Sequence, residues 1–213
     1  MDRQAGREED LHPDRAGVHR GVADDLRIIS SLFEIRMAQV KDEEALCILR
    51  ELQTLTKVMA IVHGTMYMTG TSEGVGAQLL FEKIVKSVRL TYCTGTWIEC
   101  TVDCKNTVLP AACAVPCGFV LAEIIRNCVL CSFDGVAEGR IDISLDGPDK
   151  DRWYTLIVAD DGFPEYALSR ENAEEEAISM PVAEHIVRYR LKGTVTRRED
   201  EGVTWTVRFP VTG

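Results

Sequence analysis

Two consecutive amphipathic stripes constrain this sequence more than any other feature in it. From Val18 the positions Val22, Leu26, Ile29, Leu32/Phe33, Arg36 and Val40, all but Arg36 apolar, recur at steps of three and four. That spacing is the stripe of an amphipathic helix. Lys41-Asp42 breaks the pattern, and Asp42 is suited to cap a new helix. A second stripe follows through Ala45, Ile48, Leu49, Leu52, Leu55, Met59, Val62 and Met66. Two long helices with so short a connection form an antiparallel hairpin. One hairpin cannot bury both apolar faces by itself. Pairing with a second copy gives a four-helix bundle, so a homodimer is expected.

After a Gly/Ser/Thr-rich stretch from Thr69 to Gly76, read as a linker, the periodicity changes. Leu79 to Leu90 reads as an amphipathic helix and Trp97 to Val102 as a strand. Pro116 to Phe133 reads as a strongly apolar helix, and Arg140 to Leu145 and Trp153 to Ala159 as strands. Ala183 to Leu191 reads as a helix, and Gly193 to Arg198 and Val203 to Val211 as closing strands. The expectation is a polar, disordered segment 1–14, a hairpin over 15–69, and an α/β domain over 77–213 with helices on one face of a mixed sheet.

Composition narrows the partners. The 213 residues carry a formal net charge of -10, which repels nucleic acid and anionic membrane. No run reads as the roughly 18 apolar residues of a membrane span. Residues Met1 to Asp10 are charged and lack the apolar core of a secretion signal. A cytoplasmic setting with free thiols is therefore expected for the eight cysteines. Cys100, Cys104, Cys113 and Cys117 show C-x3-C spacing twice, a hint of zinc. Their flanks are apolar and the spacing is not C-x2-C, so they read as small core residues.

Three constellations could carry chemistry. On the helix from Pro116, Glu123 and Asn127 lie four apart and share one face of an otherwise apolar element. Buried polar groups need partners, so Asn127 either coordinates a magnesium–phosphate group or both residues are satisfied by neighbouring backbone. Val158-Ala-Asp-Asp-Gly ends a strand. It is an ordinary turn signal, or Asp160 meets an adenine amino group while Gly162 lets the backbone come close. Finally, His19 opens the first helix and His63 lies near the end of the second. A neutral imidazole nitrogen is a nucleophile for phosphoryl groups. The alternatives are a solvated position for His19 and a packed structural one for His63.

Taken in order, these pieces resemble the HWE-type (HisKA-like) sensor histidine kinases. Val22-Ala-Asp-Asp-Leu-Arg-Ile-Ile-Ser-Ser-Leu resembles the family's H-box, H-H-R-V-K-N-N-L-Q-I-I-S-S-L. Met59-Ala-Ile-Val-His-Gly-Thr-Met-Tyr resembles M-A-L-V-H-x-x-L-Y, and Pro116 to Asn127 resembles the N-box P-L-G-L-I-L-N-E-L-V-T-N. Asp160-Asp161-Gly162 sits where D-x-G-x-G begins, and Val203 to Pro210 resembles the family's last strand. The resemblance implies a dimerisation and histidine-phosphotransfer hairpin followed by a Bergerat-type ATP-binding α/β sandwich. It gives Asn127 the magnesium, Asp160 the adenine, and response-regulator receiver domains as partners.

Departures from the pattern imply a degenerate site. Without a gap, the family's acceptor histidine falls on Arg20, and His19 lies one residue earlier, a turn of about 100°. Lys-Asn-Asn has become Ala23-Asp24-Asp25, which places anions beside an incoming phosphoryl group. Leu130-Cys131 replaces a polar pair, Pro164 replaces the second glycine of D-x-G-x-G, and Ser179-Met-Pro181 stands for the glycine-rich lid. Glycines there let backbone N–H groups reach phosphates, and proline has none to give. Glu171, Glu174, Glu175 and Glu176 make the lid acidic. Three readings follow. One is a histidine phosphotransferase or docking protein using His19, with ATP binding lost. Another is an active autokinase holding Mg-ATP on Glu123, Asn127, Asp160 and Gly162. The last is a non-catalytic interaction protein.

Overall fold

The fold is taken from a computed structural model, which describes residues 15–69, 74–93, 97–104, 106–133, 136–162 and 179–211. The expectations for residues 1–14, Pro164 and the acidic lid Glu171 to Glu176 lie outside these residues. The two stripes form helices α1 (Arg15–Met37) and α2 (Glu43–Thr69). They lie against each other as a hairpin. Asp42 caps α2 as its sequence position suggested: its carboxylate accepts a hydrogen bond from the Ala45 N–H at 2.8 Å. Across the hairpin, the Gln53 amide donates to the Ser30 carbonyl at 3.3 Å and to Glu34 at 3.0 Å.

Beyond the hairpin come strand β1 (Gly74–Gly76), helix α3 (Ala77–Tyr92), strands β2 (Trp97–Asp103) and β3 (Val108–Pro110), and helix α4 (Ala111–Asn127). A π-helical turn, Cys128–Ser132, extends α4. Then follow β4 (Glu138–Asp146), β5 (Trp153–Asp160), α5 (Ser179–Tyr189), β6 (Thr194–Glu199) and β7 (Val203–Pro210). Five strands form a mixed sheet in the order β2-β4-β5-β7-β6. β2 runs parallel to β4, and the other pairs are antiparallel. The alternation of β4, β5 and β7 points Ile141, Ile143, Leu145, Leu156, Val158 and Val207 toward the helices, where all are buried.

Three features differ from the sequence reading. The end of the supposed linker, Gly74–Gly76, is a strand paired antiparallel with β3. Helix α4 starts five residues before Pro116, with Pro110 at its cap and Pro116 inside. Its extension to Ser132 also makes Ala111–Ser132 long and apolar enough to cross a membrane by composition, where no such run was expected. That segment is 83% buried, as the central core helix of the domain.

The hairpin is not a separate body. Val58, Val62 and Met66 of α2 are buried in the same core as Leu80, Phe81, Ile84, Phe119 and Ile125. Gly118 of α4 marks the crossing. A Cβ there would stand 2.9 Å from Ile84 Cδ1 and 3.1 Å from Val58 Cγ1, so a side chain would have to displace both to fit between the helices. Of the four cysteines with C-x3-C spacing, Cys104, Cys113 and Cys117 are fully buried in the core and Cys100 packs against it.

Candidate functional site: an N-box helix, a strand end and a histidine pair

Helix α4 is buried along almost its whole length, so its few polar side chains stand in a dry environment. Glu123 is fully buried and Asn127 is 8% exposed. Their neighbour Arg126, not singled out in the sequence, is buried as well. Its guanidinium lies 3.1 Å from the Glu123 carboxylate. A buried carboxylate needs such a partner to remain charged. The Asn127 side-chain N–H donates to the Glu123 carbonyl at 2.9 Å. A basic residue within an apolar helix, three places after an acid, was the available signal for this pair.

Asp160 ends β5 with its side chain on the helix side of the sheet. Its carboxylate accepts the Gly162 backbone N–H at 3.0 Å. Burial pushes its acidity toward higher pH than an ordinary carboxyl. Hydrogen bonds from the Cys128 thiol, the Gly162 N–H, the Ser132 hydroxyl and the Val203 backbone oppose that shift. Gly162 is required by a close approach, as expected, but the approach is to the protein itself. A Cβ there would fall 2.4 Å from the Ser132 carbonyl oxygen. The π-turn therefore ties the end of α4 to the end of β5, bringing Asn127 and Asp160 into one region. Burial and Asp160 together raise the Cys128 thiol well above its ordinary value, which makes it an inert hydrogen-bond donor. A cleft of about 240 Å³ at the end of β5 is lined by the acidic residues Asp142, Asp161, Asp200 and Glu201 together with Arg140. The lid position Ser179-Met-Pro181 forms the first turn of α5.

The hairpin joins the two histidines. His19 Nδ1 and His63 Nδ1 are 2.9 Å apart, with ring centroids at 5.2 Å and an interplanar angle of 36°. Both rings are half-buried. Burial, and then the charge of His19, lower the basicity of His63 below the ordinary histidine value. Arg20, at the acceptor position of the resemblance, points away into solvent. It lies 3.9 Å from Asp24 and 5.8 Å from the centroid of the Tyr67 ring.

Residues 18–92, which span the hairpin and α3, match the family model HisKA_2, histidine kinase. This segment is similar to the histidine kinases. The kinase likeness extends over the whole fold. The histidine kinase domain of the Erythrobacter litoralis EL346 blue-light activated histidine kinase superposes with a TM-score of 0.60 at 16% identity, covering 93% of this chain and 95% of that one. The longer Erythrobacter litoralis EL346 blue-light activated histidine kinase superposes with a TM-score of 0.61 at 13% identity, covering 89% of this chain and 60% of that one. At these identities the likeness is one of fold. No curated protein matches the chain.

The kinase family implies ATP and magnesium, and the residues here fit them unequally. Asp160 is where an adenine contact would be, and it fits one: Oδ1 accepts the Gly162 N–H, while Oδ2 is buried without a hydrogen-bond partner, free to accept from an amino group. On the magnesium side Glu123 does not fit: its carboxylate already carries the Arg126 guanidinium at 3.1 Å. Two like charges in a dry site repel strongly.

Proposed function

We propose that this chain is a two-component signalling protein on a degenerate histidine-kinase scaffold. It acts as a histidine phosphotransferase, or docking protein, for response-regulator receiver domains in the cytoplasm. The observation that carries this reading is the contrast between its two candidate sites. The hairpin presents a half-exposed histidine pair, while the N-box carboxylate is closed by an internal ion pair. His19 would receive the phosphoryl group. Its Nε2 attacks phosphorus, and the receiver's phosphoaspartyl P–O bond breaks to release a carboxylate. The energy comes from the acyl phosphate, so no nucleotide enters the step.

The homodimer belongs to this proposal. Ile28, Leu32 and Ile35 on α1 and Ile48 and Leu52 on α2 are all exposed and spaced as helical stripes. Two copies paired on these stripes would complete a four-helix bundle carrying two Bergerat-type domains. Incubation with a phosphorylated receiver domain and no ATP tests the reading. Acid-labile phosphate on His19 is expected, and its absence across receiver domains would leave only passive docking.

A second reading, an active autokinase, is favoured by one observation: Asn127 and Asp160 are both kept and are brought together by the π-turn. Calorimetric titration with magnesium and ATP separates the two. Stoichiometric binding lost in Asn127→Ala would favour the autokinase, and no heat at millimolar nucleotide would favour the phosphotransferase.

A further inference from the structure

The histidine pair has a chemical consequence beyond bringing two rings together. Two Nδ1 atoms 2.9 Å apart can be joined by only one proton, so one ring donates and the other accepts. The direction matters, because a ring that donates from Nδ1 leaves Nε2 with a free lone pair. A ring that accepts at Nδ1 carries its proton on Nε2 and cannot attack there. His63 lies on α2, where burial lowers its basicity. Only the direction in which His19 donates leaves its Nε2 free to attack, so with His19 as the phosphoryl acceptor His63 Nδ1 is the hydrogen-bond acceptor and His63 is in its Nε2–H form.

We propose that His63 is a positioning residue: its Nδ1 accepts the Nδ1–H of His19, fixing the His19 ring with Nε2 unprotonated and aimed away from α2. For its use in phosphoryl transfer this rests on the reading above, in which His19 is the acceptor. The hydrogen bond does two things in that step. It selects the nucleophilic tautomer before the phosphoryl group arrives. It also gives the positive charge that develops as the Nε2–P bond forms somewhere to go, since the Nδ1 proton can move along the bond to His63. The balance is closed: one N–P bond forms, one P–O bond breaks, the aspartate leaves as carboxylate, and the proton stays within the pair. The arrangement also accounts for a histidine one residue away from the family's acceptor position. Arg20 at that position faces solvent, whereas His19 faces the second helix and a partner that can orient it.

The test is a long-range proton–nitrogen correlation spectrum of the full-length protein labelled with ¹⁵N-histidine, which reads the tautomer of each ring without any partner. His19 is expected with a protonated Nδ1 and a bare Nε2, shifting to the Nε2–H form in His63→Ala, while His185 stays unchanged. A wild-type His19 already in the Nε2–H form, or one unmoved by His63→Ala, would overturn the proposal. Labelling with phosphoramidate, a small phosphoryl donor, gives the kinetic arm. The rate at His19 Nε2 is expected to fall by roughly tenfold or more in His63→Ala. His63→Gln, whose amide oxygen can accept the same Nδ1–H, is expected to restore part of it. Equal rates in all three proteins would also overturn it. If His19 shows the expected tautomer and takes phosphoramidate label, yet no phosphorylated receiver domain labels it, the phosphotransfer reading fails and the pairing stands.

Discussion

Replacing Arg126 by methionine isolates the buried ion pair on which the proposed loss of magnesium binding rests. The substitution keeps the length of the side chain but removes the guanidinium 3.1 Å from Glu123. The two side chains are 7% and 0% exposed, so water screens the pair very little. Removing one member of such a pair costs about 3–5 kcal/mol, because the remaining carboxylate loses its cation in a dry helix interface. For a chain of this size each kcal/mol lowers Tm by about 2–4 °C, so a fall of roughly 6–20 °C is expected. Changing both members, Glu123→Leu with Arg126→Met, removes the charge entirely and is expected to restore stability or exceed the parent by about 1–4 kcal/mol. Urea denaturation followed by circular dichroism measures all four corners of the cycle. A cost below about 1 kcal/mol for Arg126→Met, or a double variant as unstable as the single, would refute the reasoning.

Other expectations follow from particular contacts. Gly118→Ala pushes a methyl group into Ile84 and Val58, and is expected to cost about 1–3 kcal/mol in the urea midpoint by wedging the hairpin from the domain. Asp160 is held with its pKa raised, chiefly by burial, so the folded state binds its proton more tightly than the unfolded chain. Stability therefore falls as pH rises through that window. Asp160→Asn should be at least as stable as the parent at neutral pH, and a large loss would contradict this. His63 is shifted the other way, mainly by burial. The unfolded chain takes up that proton first, so stability should fall on acidification below about pH 6.5. Urea midpoints compared between neutral and mildly acid buffer should show a smaller difference in His63→Gln than in the parent. Asp42→Ala removes the α2 cap and should cost about 0.5–2 kcal/mol by the same assay.

Much of this architecture was legible because its signals are periodic. The hairpin stripes, the Asp42 cap and the strands around Ile141, Leu156 and Val207 each repeat a pattern several times. Short features carry no period. β1 and β3 are three residues each, and Gly74–Gly76 reads as a linker until it pairs with Val108–Pro110. Pro116 suggested a helix start because proline suits the first turn, yet Pro110 already supplies that boundary. At the site, Glu123, Asn127, Asp160 and Gly162 were visible as motif positions, but what each touches was not. The Arg126 ion pair and the Cys128 and Ser132 bonds to Asp160 depend on which side chains share a dry space. The histidine pair was within reach of the sequence. His19 and His63 are equidistant along the chain from Lys41, where the hairpin turns, so antiparallel helices bring them together.

The central claim is that the hairpin takes a phosphoryl group that the ATPase-like fold does not supply. Intact-mass and peptide mapping of two parallel incubations tests it most directly, one with magnesium and ATP alone, the other with a phosphorylated receiver domain alone. The account predicts one phosphoryl group on His19 in the second incubation and none in the first. A phosphoryl group acquired from ATP alone, and lost in Asn127→Ala, would contradict it.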